Sequence, residues 1–213
     1  MNNQKVYVFD LDGTLVNSMP RYEAGMLSIL DEEGIAYDGE LIMIITPLGY
    51  TKTAEYYIDK LGLRDSVASI VSRMEEKLVY EYSNNIFLKP GVNEYIRRLH
   101  AEGARLFVLT ASPHIVTDVC LQKNGVFDLF EQIWSVEDFG LSKSGTELFY
   151  EVARIIGCER EEINYFDDSL IALANAKKSG YLTYAVFDRQ TPDEVETMKR
   201  EYGVYVGSFE ELN

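Results

Sequence analysis

The chain has 213 residues, of which 46% are hydrophobic and 26% charged, a composition that suits one globular domain with a smaller insertion. Its 35 acidic and 20 basic residues give a formal net charge of −15, which argues against a nucleic-acid backbone as a partner. Cys120 and Cys158 have no metal-ligand spacing and predict no disulfide framework. The sequence shows no signal peptide and no apolar run of membrane-spanning length, so we expect a cytoplasmic protein without a membrane partner.

The first predicted element is a buried strand, Lys5–Phe9, in which apolar, β-branched and aromatic residues run up to Asp10. From Ser18 to Ile86 the pattern changes to helical spacing, with no convincing strand. The helices predicted in this interval are Met19–Glu33, Glu40–Ile45, Thr51–Leu61 and Ser66–Ser83. We therefore predict an all-helical insertion of about 70 residues after the first strand.

Strands and helices alternate in the rest of the chain. The predicted strands are Arg105–Thr110, Gln132–Ser135, Ile163–Phe166 and Leu182–Phe187. The predicted helices are Val92–Glu102, Pro113–Asn124, Gly145–Gly157 and Leu170–Gly180, several of which end at a glycine. This alternation is typical of an α/β fold, in which helices cover both faces of a parallel sheet.

Residues that can carry chemistry stand at the ends of four of these strands. They are Asp10-Leu-Asp12-Gly-Thr14, Thr110-Ala-Ser112, Lys143 in the loop after the third strand, and Asp167-Asp168. In open parallel sheets, ligands bind at the carboxyl ends of the strands, where the strand order reverses. If the first strand is central, these four groups meet in one crevice.

These residue types suit phosphoryl transfer. The Asp10 carboxylate can attack phosphorus and form an acyl-phosphate, which divides one hard displacement into two easier ones. Asp12 can protonate the leaving oxygen and then deprotonate the hydrolytic water. Gly13 lets the backbone turn sharply and bring N–H groups to a phosphate. The Thr110 hydroxyl and the Lys143 ammonium can hold the transferring oxygens.

Asp10, Asp167 and Asp168 would together form an oxygen-only cluster. Such ligands favour a hard cation that keeps several waters, and they predict Mg²⁺, which would also offset the repulsion between carboxylates and a phosphate. Taken singly, an acidic pair after a strand is more often a helix cap, and a lysine is more often a solvated surface residue. The order and placement of all four groups favour the catalytic interpretation. His114 is better explained as a capping or partly exposed residue than as a substrate contact.

With these residues placed, the chain resembles the haloacid dehalogenase-like hydrolase superfamily over essentially its whole length. The resemblance is carried by Asp10-Leu-Asp-Gly-Thr-Leu15, Leu109-Thr110, Lys143 and Asp167-Asp168-Ser169. It implies a Rossmann-like parallel-sheet core, residues 1–17 and 87–213, with a final strand and helix after Tyr202. It also implies that residues 18–86 form a small all-helical cap that closes over the site.

The resemblance implies roles that match those above. Asp10 is the expected nucleophile and metal ligand, and Asp12 the expected general acid and base and a metal ligand through its backbone carbonyl. Asp168 is the expected principal metal ligand of the fourth motif, with Asp167 beside it as a ligand or support. The residues expected to bind the phosphoryl group or the rest of the substrate are Thr110, Lys143, Gly13, Thr14, Ala111 and Ser112.

Within the superfamily, Val16-Asn-Ser-Met-Pro20 is most similar to phosphoglycolate phosphatases, so we expect an Mg²⁺-dependent phosphatase acting on a small phosphorylated metabolite. Two departures weaken the assignment to one subfamily: Ser144 stands where relatives commonly have proline, and Ala172 where they have a further aspartate. The sequence carries no signal for an oligomeric state. Candidates for substrate selection in the insertion are Arg21, Tyr22, Thr46 and Tyr50.

Other functions fit the sequence less well. A sugar-phosphate mutase would share the whole core, but β-phosphoglucomutase-like relatives place a histidine where this chain has Tyr22, and a phenol is a poor proton shuttle at neutral pH. A true dehalogenase would lack an aspartate at the position of Asp12. A phosphoacceptor signalling module would carry its acidic pair at the first strand and have no helical insertion. A catalytically idle binding relative would be expected to have lost one of the four motifs.

Overall fold

The computed structural model describes residues 4–45 and 48–213 of the chain. The chain divides into two compact units: Met1–Asn17 with Phe87–Asn213, called here the core unit, and Ser18–Ile86, called here the helical unit. Thr46, one of the candidates for substrate selection, lies outside the described residues.

The helical unit builds a small hydrophobic core of its own. Its helices are α1 (Met19–Glu32), α2 (Leu41–Ile45), α3 (Gly49–Leu61) and α4 (Val67–Asn84). Apolar side chains at helical spacing on α1 and α4, such as Met26 and Met74, are fully buried. Tyr57 of α3 is also buried, and its hydroxyl donates to the Met26 carbonyl oxygen at 3.1 Å. Tyr57 therefore serves as a core residue of this unit.

The strands of the core unit form one parallel sheet. They are β1 (Val6–Phe9), β2 (Arg105–Thr110), β3 (Gln132–Ser135), β4 (Ile163–Asp167), β5 (Leu182–Val186) and β6 (Val204–Val206). Among the described residues the sheet has six strands in the order β3-β2-β1-β4-β5-β6. β1 pairs with β2 on one side and with β4 on the other. The predicted α/β fold class is confirmed, and the first strand is central.

Both faces of this sheet are covered. The helices of the core unit are α5 (Val92–Ala101), α6 (His114–Lys123), α7 (Glu147–Ile156), α8 (Leu170–Lys178) and α9 (Pro192–Glu201). Side chains alternate along β1, so that Val8 joins a hydrophobic cluster with Phe149 of α7 and Leu173 of α8. Phe9 points to the opposite face, where its ring lies 6.4 Å from that of Tyr95 on α5 and 4.9 Å from that of Phe166 on β4.

Helix α9 is absent from the elements predicted from sequence. Met198 is its buried residue, so the segment offers no apolar periodicity. The available signal was a capping box: the Thr191 N–H donates to the Glu194 carboxylate at 2.8 Å, and the Glu194 N–H donates to the Thr191 hydroxyl at 3.4 Å. The final strand implied by the resemblance is β6. A short 3₁₀ helix, Phe209–Leu212, follows it instead of an α-helix.

A tight turn leads the chain from the helical unit back into α5. Gly91 caps the start of α5 with φ of +81°. A Cβ added to Gly91 would overlap the backbone of Phe209 and Glu210, because the terminal 3₁₀ helix packs directly on this turn. Gly91 is therefore required both by its backbone conformation and by close packing.

Gly91→Ala should destabilise the protein by at least about 2 kcal/mol, since the left-handed conformation alone costs an L-residue roughly 1–2 kcal/mol and the overlap adds to it. Gly103→Ala is the matched control, because Gly103 has φ of +80° but no atom within 4 Å of an added Cβ. Its cost should stay near 1 kcal/mol. Urea unfolding of both variants measures the difference, and equal losses would contradict the proposed packing constraint.

Candidate active site

The carboxyl end of β1 places a buried carboxylate at the centre of the sheet edge. Asp10 follows β1 directly, and its N–H donates to the Phe166 carbonyl oxygen of β4 at 2.9 Å, which continues the strand pairing. Its side chain is only 8% exposed. The Lys143 ammonium donates to Asp10 Oδ1 and, at 2.9 Å, to Asp167 Oδ2. One buried cation thus bridges two strand ends that lie 157 positions apart in the sequence.

Three carboxylates converge at this point. Asp10, Asp167 and Asp168 each offer an oxygen atom, and these atoms all lie within 4.8 Å of one another. Asp167 is held by the Tyr165 hydroxyl and by the Ser169 N–H, which donates at 2.7 Å. The donor set consists of oxygen alone, and the close approach of like charges calls for a cation. The arrangement fits a hard divalent ion such as Mg²⁺.

This crowding changes the pKa values of the cluster. Burial raises the pKa of Asp10 well above its ordinary value, the Lys143 ammonium opposes the rise, and the carboxylates of Asp167 and Asp168 add to it. Burial and the charges of Asp167 and Asp188 raise the pKa of Asp168 to about 7. Burial lowers the pKa of Lys143, but Asp10 and Asp167 outweigh that effect and leave it raised. Lys143 therefore stays protonated, and positive charge is needed to keep the carboxylates ionised.

The turn after β1 is closed by its own backbone hydrogen bonds. The Gly13 N–H donates to the Val16 carbonyl oxygen at 3.0 Å, and the Leu15 N–H donates to the Leu11 carbonyl oxygen at 2.9 Å. The turn itself uses the Gly13 N–H, and the expectation that N–H groups of this turn reach a phosphate stays a prediction. Gly13 is needed in the turn because it has φ of +77°, and a Cβ there would lie 2.6 Å from an Asp168 carboxylate oxygen.

The Thr110-Ala-Ser112 motif holds the side chain of Asp12. The Ser112 hydroxyl donates to Asp12 Oδ2 at 2.6 Å, and the Ser112 N–H donates to the Thr110 hydroxyl oxygen at 3.0 Å. Thr110 is buried at the end of β2, and Ala111 beside it is exposed. Ser112 thus orients Asp12, the expected general acid and base. The expectation that Ser112 also binds the substrate stays a prediction.

Thr14, another substrate-binding candidate, is fully buried, and its hydroxyl donates to Asp168 Oδ1 at 3.3 Å. Its hydroxyl therefore orients a carboxylate of the cluster. Asp12 is not a member of the carboxylate cluster formed by the described residues, which consists of Asp10, Asp167 and Asp168. A metal contact from Asp12 would have to come from its backbone carbonyl, as the resemblance implies.

Sequence reasoning missed several residues that hold this site. Tyr165 lies two positions before Asp167 on β4, so both side chains point to the same face. The alternation of side chains along a strand could have identified Tyr165 from the sequence. Lys89 donates to the Gly13 carbonyl oxygen and forms an ion pair with Asp188 at 2.9 Å. Gln190 donates to the Asp168 carbonyl oxygen at 2.7 Å. No motif marks Lys89, Asp188 or Gln190 in the sequence.

His114 has two acidic partners at the start of α6. Its Nδ1 lies 3.1 Å from Asp118 Oδ1, and its Nε2 lies 3.0 Å from Asp138 Oδ2. The hydrogen bond with Asp138 raises the pKa of His114, partial burial opposes the rise, and Asp118 adds to it. These contacts support the interpretation of His114 as a partly exposed structural residue.

Comparisons with known proteins agree on one family. The family model described as haloacid dehalogenase-like hydrolase matches residues 7–186. The phosphoglycolate phosphatase of Cereibacter sphaeroides is 27% identical over 188 residues, which cover 84% of this chain and 83% of that protein. Curated relatives of similar coverage are also named as phosphatases.

Solved structures share the fold over the whole chain. A Thermotoga maritima protein assigned as a β-phosphoglucomutase has a TM-score of 0.82 at 20% identity, covering 98% of this chain and 96% of its own. CbbY of Rhodobacter sphaeroides, in complex with xylulose-1,5-bisphosphate, has a TM-score of 0.82 at 19% identity, covering 99% and 96%. Among the helices of the described residues, none is long and apolar enough to cross a membrane.

The raised pKa of His114 predicts a pH-dependent contribution to stability. Because the folded state favours the protonated ring, the contribution is complete below the ordinary histidine pKa of about 6.5 and is lost as the pH rises through the raised value. His114→Gln should therefore be less stable than the wild type near pH 6 and equal to it near pH 9. The difference should stay below about 1 kcal/mol, since the ring is 42% exposed.

Urea unfolding across this pH range measures the effect. His100→Gln, which changes the other histidine of the sequence, is the control and should keep the pH-dependent contribution of His114. A loss of stability in His114→Gln that is the same near pH 6 and near pH 9 would contradict the assignment of the ion pairs.

Proposed function

Because the chain belongs to the haloacid dehalogenase-like hydrolase family and is a phosphoric monoester hydrolase, we propose that it hydrolyses a small phosphorylated metabolite through an aspartyl-phosphate on Asp10. One observation carries the proposal. The buried Asp10 carboxylate stands at the carboxyl end of the central strand, beside the Lys143 ammonium and two further carboxylates. This is where the topology of an open parallel sheet favours a ligand site.

In the first half-reaction, a carboxylate oxygen of Asp10 forms a bond to phosphorus as the bond between phosphorus and the ester oxygen breaks. Asp12, oriented by Ser112, gives its proton to the departing alkoxide. Lys143 and Thr110 offset the charge on the transferring oxygens. Lys143 is suited to this task because it remains protonated among the carboxylates.

In the second half-reaction, water attacks phosphorus and gives a proton to Asp12. The bond between phosphorus and Asp10 breaks, and the products are inorganic phosphate and the free carboxylate. Asp12 thus acts first as a general acid and then as a general base. Its hydroxyl partner Ser112 suits both states, because a hydroxyl can donate to the carboxylate and accept from the carboxylic acid.

We propose Mg²⁺ as the cofactor, held by Asp10 and Asp168 and by the backbone carbonyl of Asp12. Asp167 already accepts hydrogen bonds from Lys143, Tyr165 and Ser169. It therefore helps to position the cluster and is not one of the proposed direct ligands. When bound, the ion supplies charge neutralisation for the carboxylates and the phosphate. The residues themselves hold and orient the reacting groups.

The proposed substrate is a small anionic phosphomonoester such as phosphoglycolate or a sugar phosphate. The phosphoglycolate phosphatase among the relatives and the xylulose-1,5-bisphosphate complex among the structural neighbours support this class. The net charge of −15 would repel such an anion from most of the surface. Lys143 and the proposed cation would offset that repulsion at the site.

We further propose that the helical unit is a cap that opens for exchange and closes for chemistry. The two connections that lead into and out of it run side by side: the Asn17 N–H donates to the Phe87 carbonyl oxygen at 3.3 Å, and Val16 forms an antiparallel bridge with Leu88. Paired connections of this kind suit a hinge. Arg21, Tyr22 and Tyr50 of this unit remain the proposed selectors of the substrate.

A panel of phosphomonoesters assayed with Mg²⁺ tests the function. The panel should contain phosphoglycolate, pentose and hexose phosphates, and hexose 1-phosphates with a bisphosphate primer. We expect release of inorganic phosphate from at least one member. Isomerised sugar phosphate without phosphate release would replace the phosphatase with a mutase, and no reaction of any kind would overturn the proposal.

Asp10→Asn should abolish turnover while leaving the protein folded. The amide is nearly isosteric with the carboxylate but is a poor nucleophile, so the rate should fall at least about ten-thousand-fold, which is roughly 5.4 kcal/mol of barrier. Phosphate release and the melting temperature are the measurements. Activity close to that of the wild type, or labelled phosphate trapped on another residue, would contradict the assignment.

Mg²⁺ should be required for turnover and should also stabilise the protein without substrate. At about 100 times its dissociation constant, a bound ion adds about 2.7 kcal/mol to the free energy of unfolding. Ca²⁺ should bind without supporting turnover, because it prefers more ligands at longer distances. Asp168→Asn is the control and should lose most of the Mg²⁺-dependent stabilisation; full turnover of the wild type in metal-free buffer would refute the requirement.

A further inference from the structure

Lys89 is a buried cation that the chemistry above does not use. Its side chain is 14% exposed. The ammonium donates to the Gly13 carbonyl oxygen and, at 2.8 Å, to the Phe187 carbonyl oxygen, and it lies 2.9 Å from Asp188 Oδ1. An ammonium has three donors, so these contacts account for all of them. The Asp188 side chain is only 8% exposed, which makes this a buried ion pair.

The partners of Lys89 belong to two loops that both contact Asp168. On one side, the Gly13 turn lies so close that a Cβ on Gly13 would be 2.6 Å from the Asp168 carboxylate. On the other side, the Asp188 N–H donates to the Gln190 side-chain carbonyl at 2.7 Å, and the Gln190 amide donates to the Asp168 backbone carbonyl at 2.7 Å. Lys89 therefore ties together the loops on either side of Asp168.

The backbone of Lys89 is itself fixed. Its N–H donates to the Leu15 carbonyl oxygen at 2.8 Å, and Pro90 follows it, which restricts its backbone conformation. The Lys89 side chain therefore extends from a fixed backbone position. A buried ion pair by itself adds little net stability, because desolvation offsets most of the attraction. The added bonds to two backbone carbonyls point to a role in geometry.

We propose that Lys89 is a positioning residue of the phosphatase site, which holds the Gly13 turn and the loop of residues 187–190 against Asp168. Its catalytic consequence rests on the proposed function, whereas its effect on cation binding does not. Mg²⁺ demands near-ideal octahedral geometry, so a small displacement of Asp168 would weaken its binding. Partners beyond the direct ligands of a metal site typically change affinity or activity about 10- to 100-fold when they are lost.

The test compares Lys89→Met with three further variants of the full chain. Lys89→Met keeps the length of the side chain and removes its donors and charge. The double variant Lys89→Met with Asp188→Asn also removes the carboxylate that the first change leaves unpaired. Lys89→Arg keeps a charged donor. Lys177→Met is the matched control, because Lys177 also donates to a backbone carbonyl, that of Glu201, but near the far end of α8.

Calorimetric titration with Mg²⁺ alone, without substrate, gives the first readout, and kcat and KM give the second. Lys89→Met should weaken Mg²⁺ binding about 10- to 100-fold and lower kcat more than it raises KM. Lys89→Arg should recover part of the affinity. The double variant should stay weak, because the bonds to the two carbonyls are still missing. Lys177→Met should match the wild type.

Three results would overturn the inference. They are wild-type Mg²⁺ affinity in Lys89→Met, a lowered melting temperature with unchanged affinity and kcat, and recovery of affinity in the double variant, which would assign the effect to the unpaired charge. If Lys89→Met does not fold, Lys89→Gln carries the same expectation. If the wild type hydrolyses nothing in the panel, the proposed function fails, while the Mg²⁺ titration still decides the role of Lys89.

Discussion

The site depends on one buried lysine among crowded carboxylates. Lys143 places its ammonium between Asp10 and Asp167 at the carboxyl edge of the sheet, where water is largely excluded. Buried ionised carboxylates are costly unless they are paired. The ammonium offsets part of this negative charge. The neutralisation is incomplete, because three carboxylates surround one lysine. That remaining imbalance is the physical reason to propose a cation at this position.

The surroundings of this interaction are built to keep it in place. The backbone carbonyl oxygen of Lys143 accepts a hydrogen bond from the Asn175 side-chain amide of α8 at 3.2 Å. Asp167 is bonded from its own strand by Tyr165 and from the start of α8 by Ser169. The parallel register brings Phe9 of β1 opposite Phe166 of β4, so the carboxylates that follow these two residues lie side by side. Positioning in this site is thus shared between strand pairing and a few hydrogen bonds.

The sequence predicted the elements well where burial leaves a pattern. The strands of the core are largely apolar runs because both faces of the sheet are covered, and the predicted ends of β1 to β5 differ by at most one residue from those observed. Helix α9 escaped prediction because it lies on the surface and buries Met198 as its apolar contact. Helix α3 begins at Gly49, two residues before the predicted start at Thr51. The sequence favoured a joint at this glycine, whereas Gly49, with φ of +73°, is the first residue of the helix.

By itself the sequence determined the fold class, the family and the candidate motifs, because these depend on local residue order and on a topology that follows from alternating strands and helices. Only the tertiary structure decided which groups each side chain meets. In the structure, the Gly13 N–H bonds within its own turn, the Ser112 hydroxyl bonds to Asp12, and the Thr14 hydroxyl bonds to Asp168. Lys89 contacts loops that are distant from it in the sequence. These contacts depend on how the loops that follow separate strands pack against one another, and this packing cannot be inferred from the spacing of residues in the sequence.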